Sequence, residues 1–570
     1  MPRAVIALCL SWLLMLTTAI SLSTTALSLE SSEQACPRPA EGAIVQEPPE
    51  ISSVNGILNL NLKFKTSVAP DGERRYCYVS GDGLVSPTLR LVPGDNLSIH
   101  FQNDMPASPI TSGMPSMSME TPSSDSDKDC HGTMGPNATN LHFHGMTLPP
   151  VCHQDEVIHT LISPGHSFDY KVEIPANNPA GLYWYHPHVH GSSEAQVQGG
   201  ASGALIIEGI GNVFPSLATI PERTFVLRDQ LLPVGTAPAP DPSVPSWDVS
   251  INYVPIRYPK YIPATIQVKP NEKQLWRVVN AAANTIFDLQ ILYDNQPQPV
   301  EIFAIDGYPL HQDPVPQTSV FLPPGARAEF VVTTPALGQE ARLVTQKFDS
   351  GPAGDSAPAR PLAKIVATKS KNQDSANRST RNQRSKVHNN ASPGSDLQDL
   401  KPVRIRNLFF SQNGNGTEGG AGAATKFFIT VLGQSVKAFD MTAPPNIVIH
   451  QGTVEDWIIQ NMTPEDHIFH IHQIHFQVIA VNGVPVNDPI IRDTIRVPHQ
   501  VGRTPISSVR LRMDFRDPKI VGTFVYHCHI LGHEDKGMMG SIQILPAEVA
   551  PAAENGEPAL RDGHVPSLLH

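Results

Sequence analysis

The stretch His527-Cys528-His529-Ile530-Leu531-Gly532-His533-Glu534-Asp535-Lys536-Gly537-Met538 puts one cysteine between two histidines, with a histidine five residues on and a methionine ten on. The residues leading into it are strand formers. On an extended strand successive side chains point to opposite faces. Cys528 therefore faces away from His527 and His529. One short segment thus offers an S/N donor set on one side and a pair of imidazoles on the other.

Outward from this point the imidazole pair recurs. The chain has 23 histidines among 570 residues, so a His-x-His triplet is expected about once by chance and carries little weight alone. Four occur: His142-Phe-His144, His186-Pro-His188, His470-Ile-His472 and His527-Cys-His529. Each lies in or beside strand-forming residues, so each pair can aim two rings at one site. Eight imidazoles from two ends of a chain exceed what a zinc site needs, and imidazole suits copper equally. Cys528 decides between the metals. With His533, His467 from the run His467-Ile-Phe-His470, and Met538 as a weak axial thioether, it makes a His₂Cys set of the blue-copper kind. His190 and His475 are left as flanking or surface groups.

The rest of the chain fits a secreted, strand-built protein. Aromatics are 6% and there are 55 prolines, which favours short strands between turns over long helices. The net charge of −12 argues against a nucleic-acid partner. Arg3 followed by an apolar run to Leu16 and small residues near Ala26 reads as a signal peptide over residues 1–28, on the general export route to the periplasm or outside. No later apolar run is long enough to span a membrane. In an oxidising compartment Cys36, Cys77, Cys130 and Cys152 can form two disulfides. Three pairings are open, and proximity favours Cys36–Cys77 with Cys130–Cys152.

Strand signals fall into three blocks, 29–210, 217–367 and 401–547, each the size of a β-sandwich. Residues 368–400, rich in Ser, Asn, Lys and Arg, read as a flexible linker, and 548–570 as a flexible tail. An insertion at 105–129 carries Met105, Met114, Met117 and Met119, and thioethers are soft ligands that prefer Cu(I).

The four motifs Asn140-Leu-His-Phe-His-Gly145, Trp184-Tyr-His-Pro-His188, His467-Ile-Phe-His-Ile-His472 and His527-Cys-His-Ile-Leu-Gly-His533 resemble, as a set and in order, the copper-binding motifs of the laccase-like multicopper oxidases. The resemblance spans essentially the whole mature chain. It implies an all-β protein of three cupredoxin-like Greek-key sandwiches. It implies four copper ions: a type 1 ion on His467, Cys528, His533 and axial Met538, a type 2 ion on His142 and His470, and a type 3 pair on His144, His186, His188, His472, His527 and His529. It further implies one-electron oxidation of a small reductant, electron passage through Cys528 to His527 and His529, and reduction of dioxygen to water. Glu534 and Asp155 match acidic positions that supply protons to the cluster in similar enzymes. Phenols and aromatic amines are the expected reductants. The Met-rich insertion suggests cuprous-ion oxidation for copper tolerance as the alternative, and a copper-binding protein without turnover stands behind both.

Overall fold

The computed structural model describes residues 35–547, apart from 71, 108–129, 131, 133, 136, 233–242, 311–313, 315, 370–396, 414–424 and 503–505. The signal segment, the tail, and most of the linker and Met-rich insertion therefore lie outside the described residues. The architecture is all-β. Three pairs of sheets follow one another along the chain, each pair closing over its own apolar core.

The first pair shows why the sequence folds this way. In the strand Ile57–Val68, Leu58, Leu60, Leu62 and Phe64 are buried while Asn59 and Asn61 face out, the period-two pattern of a half-buried strand. Burying each such side chain stabilises the fold by about 1.5–3 kcal/mol before chain entropy is counted. This strand lies in a four-stranded sheet, ordered Arg74–Ser80, Ile57–Val68, Asn96–Asn103, Ser167–Glu173. Facing it is a five-stranded sheet ordered Glu50–Ser52, Thr88–Leu91, Gly203–Ile207, Gly181–His186, His142–His144. The histidine strand His142–His144 is thus the last of its sheet.

The middle pair has an eight-stranded and a six-stranded sheet around Trp276, Phe287 and Phe330. The third has a seven-stranded sheet against a five-stranded one, the latter ordered Ile447–His450, Met539–Leu545, Gly522–Cys528, His467–Ile471, Thr494–Val497. Its core surrounds Trp457 and includes Cys528 and Met538.

Alternation along single strands also builds the contacts between sandwiches. Tyr183 and Tyr185 enter the first core, whereas Leu182 and Trp184 on the opposite face pack with Val226, Val279 and Ala281 of the middle sandwich. Phe524, Tyr526 and Cys528 enter the third core, whereas Val525 packs with Met539 against Val157 and Ile158 of the first. His527 follows Val525 on the outward face, so the interface and the imidazoles share one side of the strand.

Two details differ from the sequence reading. Met105 is 4% exposed and sits in the first core, so its thioether fills apolar space and is not part of a metal-collecting loop. Met114, Met117 and Met119 lie outside the described residues. At the far end of the predicted linker, Leu397 is buried with Tyr308, Val454 and Ile491. Burying a leucine outweighs the entropy of a short polar tether, so that end is docked. Cys36 pairs with Cys77 and Cys130 with Cys152, leaving Cys528 as a buried free thiol. Among the described residues no helix is long and apolar enough to cross a membrane.

Candidate copper centres

Strand register sets the rings against each other. His142 pairs across from His186 and His144 from Trp184. His470 pairs across from His527 and Phe469 from Cys528. The first and third sandwiches bring these two strand pairs together, and two groups of potential ligands result.

The smaller group lies inside the third sandwich. His467 Nδ1 and His533 Nδ1 are 3.1 Å apart, and the Cys528 Sγ is 3.6 and 3.7 Å from them. Three donors in a plane around a metal at 2.0–2.3 Å must stand about 3.5 Å from one another, so this spacing fits one ion. The other ring nitrogens are held from outside, His467 Nε2 by the Thr463 hydroxyl at 2.8 Å and His533 Nε2 by the Glu465 carboxylate at 3.3 Å. The backbone N–H of Ile468 donates to the sulfur at 3.4 Å. Phe427 stacks on His533 with ring centres 4.0 Å apart. Met538 is fully buried in the same apolar cluster, and its carbonyl accepts the N–H of Cys528.

The larger group joins two sandwiches. His188, His472 and His527 converge through their Nε2 atoms, with His527 3.2 Å from His188 and 3.3 Å from His472. His144 Nδ1 is 3.3 Å from His529 Nε2, and His186 lies within 6 Å of both, ring centre to ring centre. The His142 and His470 rings stand side by side, each with a buried Nε2 that has no hydrogen-bond partner. His186 Nε2, His472 Nδ1 and His529 Nδ1 are also unpartnered. Buried polar atoms are almost always satisfied, so the orphaned Nε2 atoms of His142, His186 and His470, on rings packed against one another, fit bound metal ions. Burial, followed by the mutual repulsion of their neighbours, holds His142, His188, His472, His527 and His529 well below the usual histidine range. Neutral imidazole is the ligating form.

Carboxylates surround this group. Asp155 meets His142 Nδ1 at 3.0 and 3.1 Å and accepts from the Phe143 N–H and the Gln473 amide. Burial pushes its carboxyl up to about 8, against the pull of those two donors. Glu534, on the short helix Leu531–Glu534, lies 3.2 Å from His527 Nδ1 and 3.8 Å from His188 Nε2. Burial, and then the charge of Asp535, raises it well above the usual range.

Asp493 was missed by the sequence reading. It is fully buried, 3.2 Å from His144 Nε2, and pairs with Arg327 of the middle sandwich. Burial opposes its charge, but Arg327 and His144 hold it well below the usual carboxylate range. Asp493 sits in the bend between the strands Ile491–Arg492 and Thr494–Val497, among Arg492, Thr494 and Arg496, so nothing in the local pattern sets it apart. His475, buried between Tyr308 and Asp493, belongs to this surround, whereas His190 lies edge-on to Phe439.

Family profiles described as multicopper oxidase match residues 131–211 and 418–548, the two stretches that carry most of these histidines. The chain belongs to the multicopper oxidase family. It is accordingly an oxidoreductase that uses copper, with dioxygen as electron acceptor. Among related multicopper oxidases, that of Staphylococcus haemolyticus is 24% identical over 507 residues, covering 86% of this chain and 89% of that protein. The multicopper oxidase of Campylobacter jejuni, described as a metallo-oxidase, superposes with a TM-score of 0.63 at 24% identity over 89% of this chain and 96% of that one. The laccase-like multicopper oxidase CueO of an Ochrobactrum species superposes with a TM-score of 0.60 at 20% identity, over 89% of this chain and all of that one.

Proposed function

We propose that the chain takes single electrons from phenols and aromatic amines at the smaller group and reduces dioxygen to water at the larger one. The observation that carries this reading is the Cys528 strand, whose sulfur lies in one donor set while the rings of His527 and His529 lie in the other. In this reading His467, Cys528, His533 and axial Met538 hold a type 1 copper. His142 and His470 hold a type 2 copper. His144, His186 and His529 hold one member of a type 3 pair, and His188, His472 and His527 the other. When bound, these four coppers supply the one-electron steps and the site of dioxygen reduction.

The chain's own groups set the conditions. The covalent path from Cys528 Sγ through its backbone to the flanking imidazoles is unbroken, with no through-space step. Burial excludes water from both groups. The Glu534 carboxyl beside His527 and the Asp155 carboxyl beside His142 stand where protons can be passed toward the product from two sides.

The reductant docks beside His533, the least buried ligand of the smaller group. The Glu465 carboxylate there accepts a hydrogen bond from a phenol O–H or an aniline N–H. Met462 and Val501, exposed on the neighbouring segments, give the rim an apolar character suited to an aromatic ring. Oxygen uptake by the copper-loaded chain with a phenol series and with Cu(I) tests this. Phenols are expected to be the better reductants, and Glu465→Gln to raise their KM about 2–10-fold, the worth of one hydrogen bond. Faster uptake with Cu(I) than with any phenol, unchanged in Glu465→Gln, would replace the phenol reading with a cuprous oxidase.

A further inference from the structure

Among the described residues the middle sandwich supplies no candidate ligand, yet its turn Leu322-Pro323-Pro324-Gly325-Ala326-Arg327 reaches the imidazoles of both other sandwiches. Gly325 lies at φ +87°, and a Cβ there would come 2.9 Å from His529 Nε2 and 3.0 Å from His144 Cε1. Gly145, which closes the first histidine motif at φ +85°, leaves the space that Arg327 fills, since a Cβ there would overlap the guanidinium. Arg327 is completely buried.

Its five N–H groups are all used. Nη1 donates to Asp493 Oδ1 at 2.9 Å and Gly325 O at 3.0 Å, Nη2 to Asp493 Oδ2 at 2.6 Å and Asp306 O at 2.8 Å, and Nε to Leu182 O at 3.3 Å. The fork grips Asp493 with both prongs, which fixes the plane of the carboxylate as well as its place. Asp306 completes the arrangement. Asp306-Gly307 is the two-residue turn between Val300–Ile305 and Tyr308–Pro309, with positive φ at both positions, as such hairpins require. From it Asp306 accepts the N–H of Arg327 at 2.9 Å and those of Asp493 and Thr494 at 3.3 Å.

Asp493 touches two potential ligands from different sandwiches. Its carboxylate meets His144 Nε2 at 3.2 Å, and its carbonyl meets His470 Nδ1 at 2.9 Å. Each ring donates from that nitrogen. His144 is left with a Nδ1 lone pair beside His529, and His470 with the unpartnered Nε2 beside His142. Asp493 thus selects the tautomer and the ring plane of one type 3 ligand and one type 2 ligand at once. A buried ion pair is weak evidence for stability, because apolar residues of the same volume serve as well. Its cost is explained by what it holds.

We propose that Arg327 is a positioning residue of the trinuclear site, acting through Asp493 to set His144 and His470, so that the middle sandwich clamps the cluster. This rests on the copper assignment above. The test compares the copper-loaded full chain with Arg327→Met, Arg327→Lys and Gly145→Ala. The readouts are copper per chain, the visible type 1 absorption, the paramagnetic resonance of the type 2 ion, and release of copper to a chelator. Arg327→Met is expected to keep the type 1 band, alter the type 2 resonance and release cluster copper at least about tenfold faster. Arg327→Lys, with charge but no fork, is expected to fall between it and wild type. Gly145→Ala, which displaces the guanidinium without removing it, is expected to match Arg327→Met. Wild-type resonance and release rates in these variants, or loss of the type 1 band in proportion to cluster copper, would overturn the proposal. If Arg327→Met does not fold, the lysine and Gly145→Ala variants decide by the same criteria. A wild-type chain that binds no copper would instead remove the assignment on which the proposal rests.

Discussion

His467, Cys528 and His533 come from one sandwich, lie within 67 residues of sequence, and have their outer ring nitrogens held by Thr463 and Glu465 of that same sandwich. The eight paired histidines come from two sandwiches, and the groups that orient them come from all three: Asp155 from the first, Arg327 and Asp306 from the second, Asp493 and Glu534 from the third. The smaller group depends on the packing of one core. The larger depends on how three cores dock. Perturbing an interface should therefore empty the larger group first, while perturbing the Cys528 strand should silence both.

The most severe break in that contrast is Cys528→Ser. Loss of the thiolate is expected to abolish the type 1 band and cut dioxygen consumption by at least about a thousandfold, as removal of an indispensable group does. Copper in the larger group should remain, which metal analysis of the purified variant will show. Asp155→Asn comes next. It keeps the shape but weakens the hold on His142, and is expected to cost about 10–100-fold in turnover or cluster copper affinity with the type 1 absorption unchanged. Loss of the type 1 band in this variant would mean that the two groups are not independent.

A smaller effect is expected from removing the Cys130–Cys152 disulfide. It closes a loop of 22 residues that contains His142 and His144. The double alanine variant is expected to lose about 3 kcal/mol of stability. Chelator treatment at moderate temperature should then draw copper from the larger group before the smaller. The mildest change is Met538→Leu, expected to raise the type 1 potential while keeping the blue colour. An unchanged potential on redox titration would show that the buried thioether packs without ligating.

The same contrast explains what could be read from sequence. The smaller group was legible because strand alternation converts Cys528 and its two neighbours directly into opposed faces, and because His533 and Met538 follow within ten residues. The His-x-His pairs were legible for the same reason, and strand signals in three blocks gave the three sandwiches. Asp155 and Glu534 were found through their nearness to the motifs. Asp493, Arg327 and Asp306 were not, because Asp493 meets Arg327 and Asp306 only across separations of 166 and 187 residues, and no local period marks them. Gly145 stood in plain view within its motif, but its purpose is to leave room for a guanidinium from another sandwich. Met105 misled because composition made it part of a polar insertion, whereas its place is set by the first core.

Copper analysis with paramagnetic resonance, on the full chain and on Cys528→Ser side by side, tests the account most directly. The account predicts about four copper ions per chain in wild type, with one of them, and the blue absorption, missing from the variant. A colourless wild-type chain holding fewer than about two ions under copper-replete conditions would contradict it.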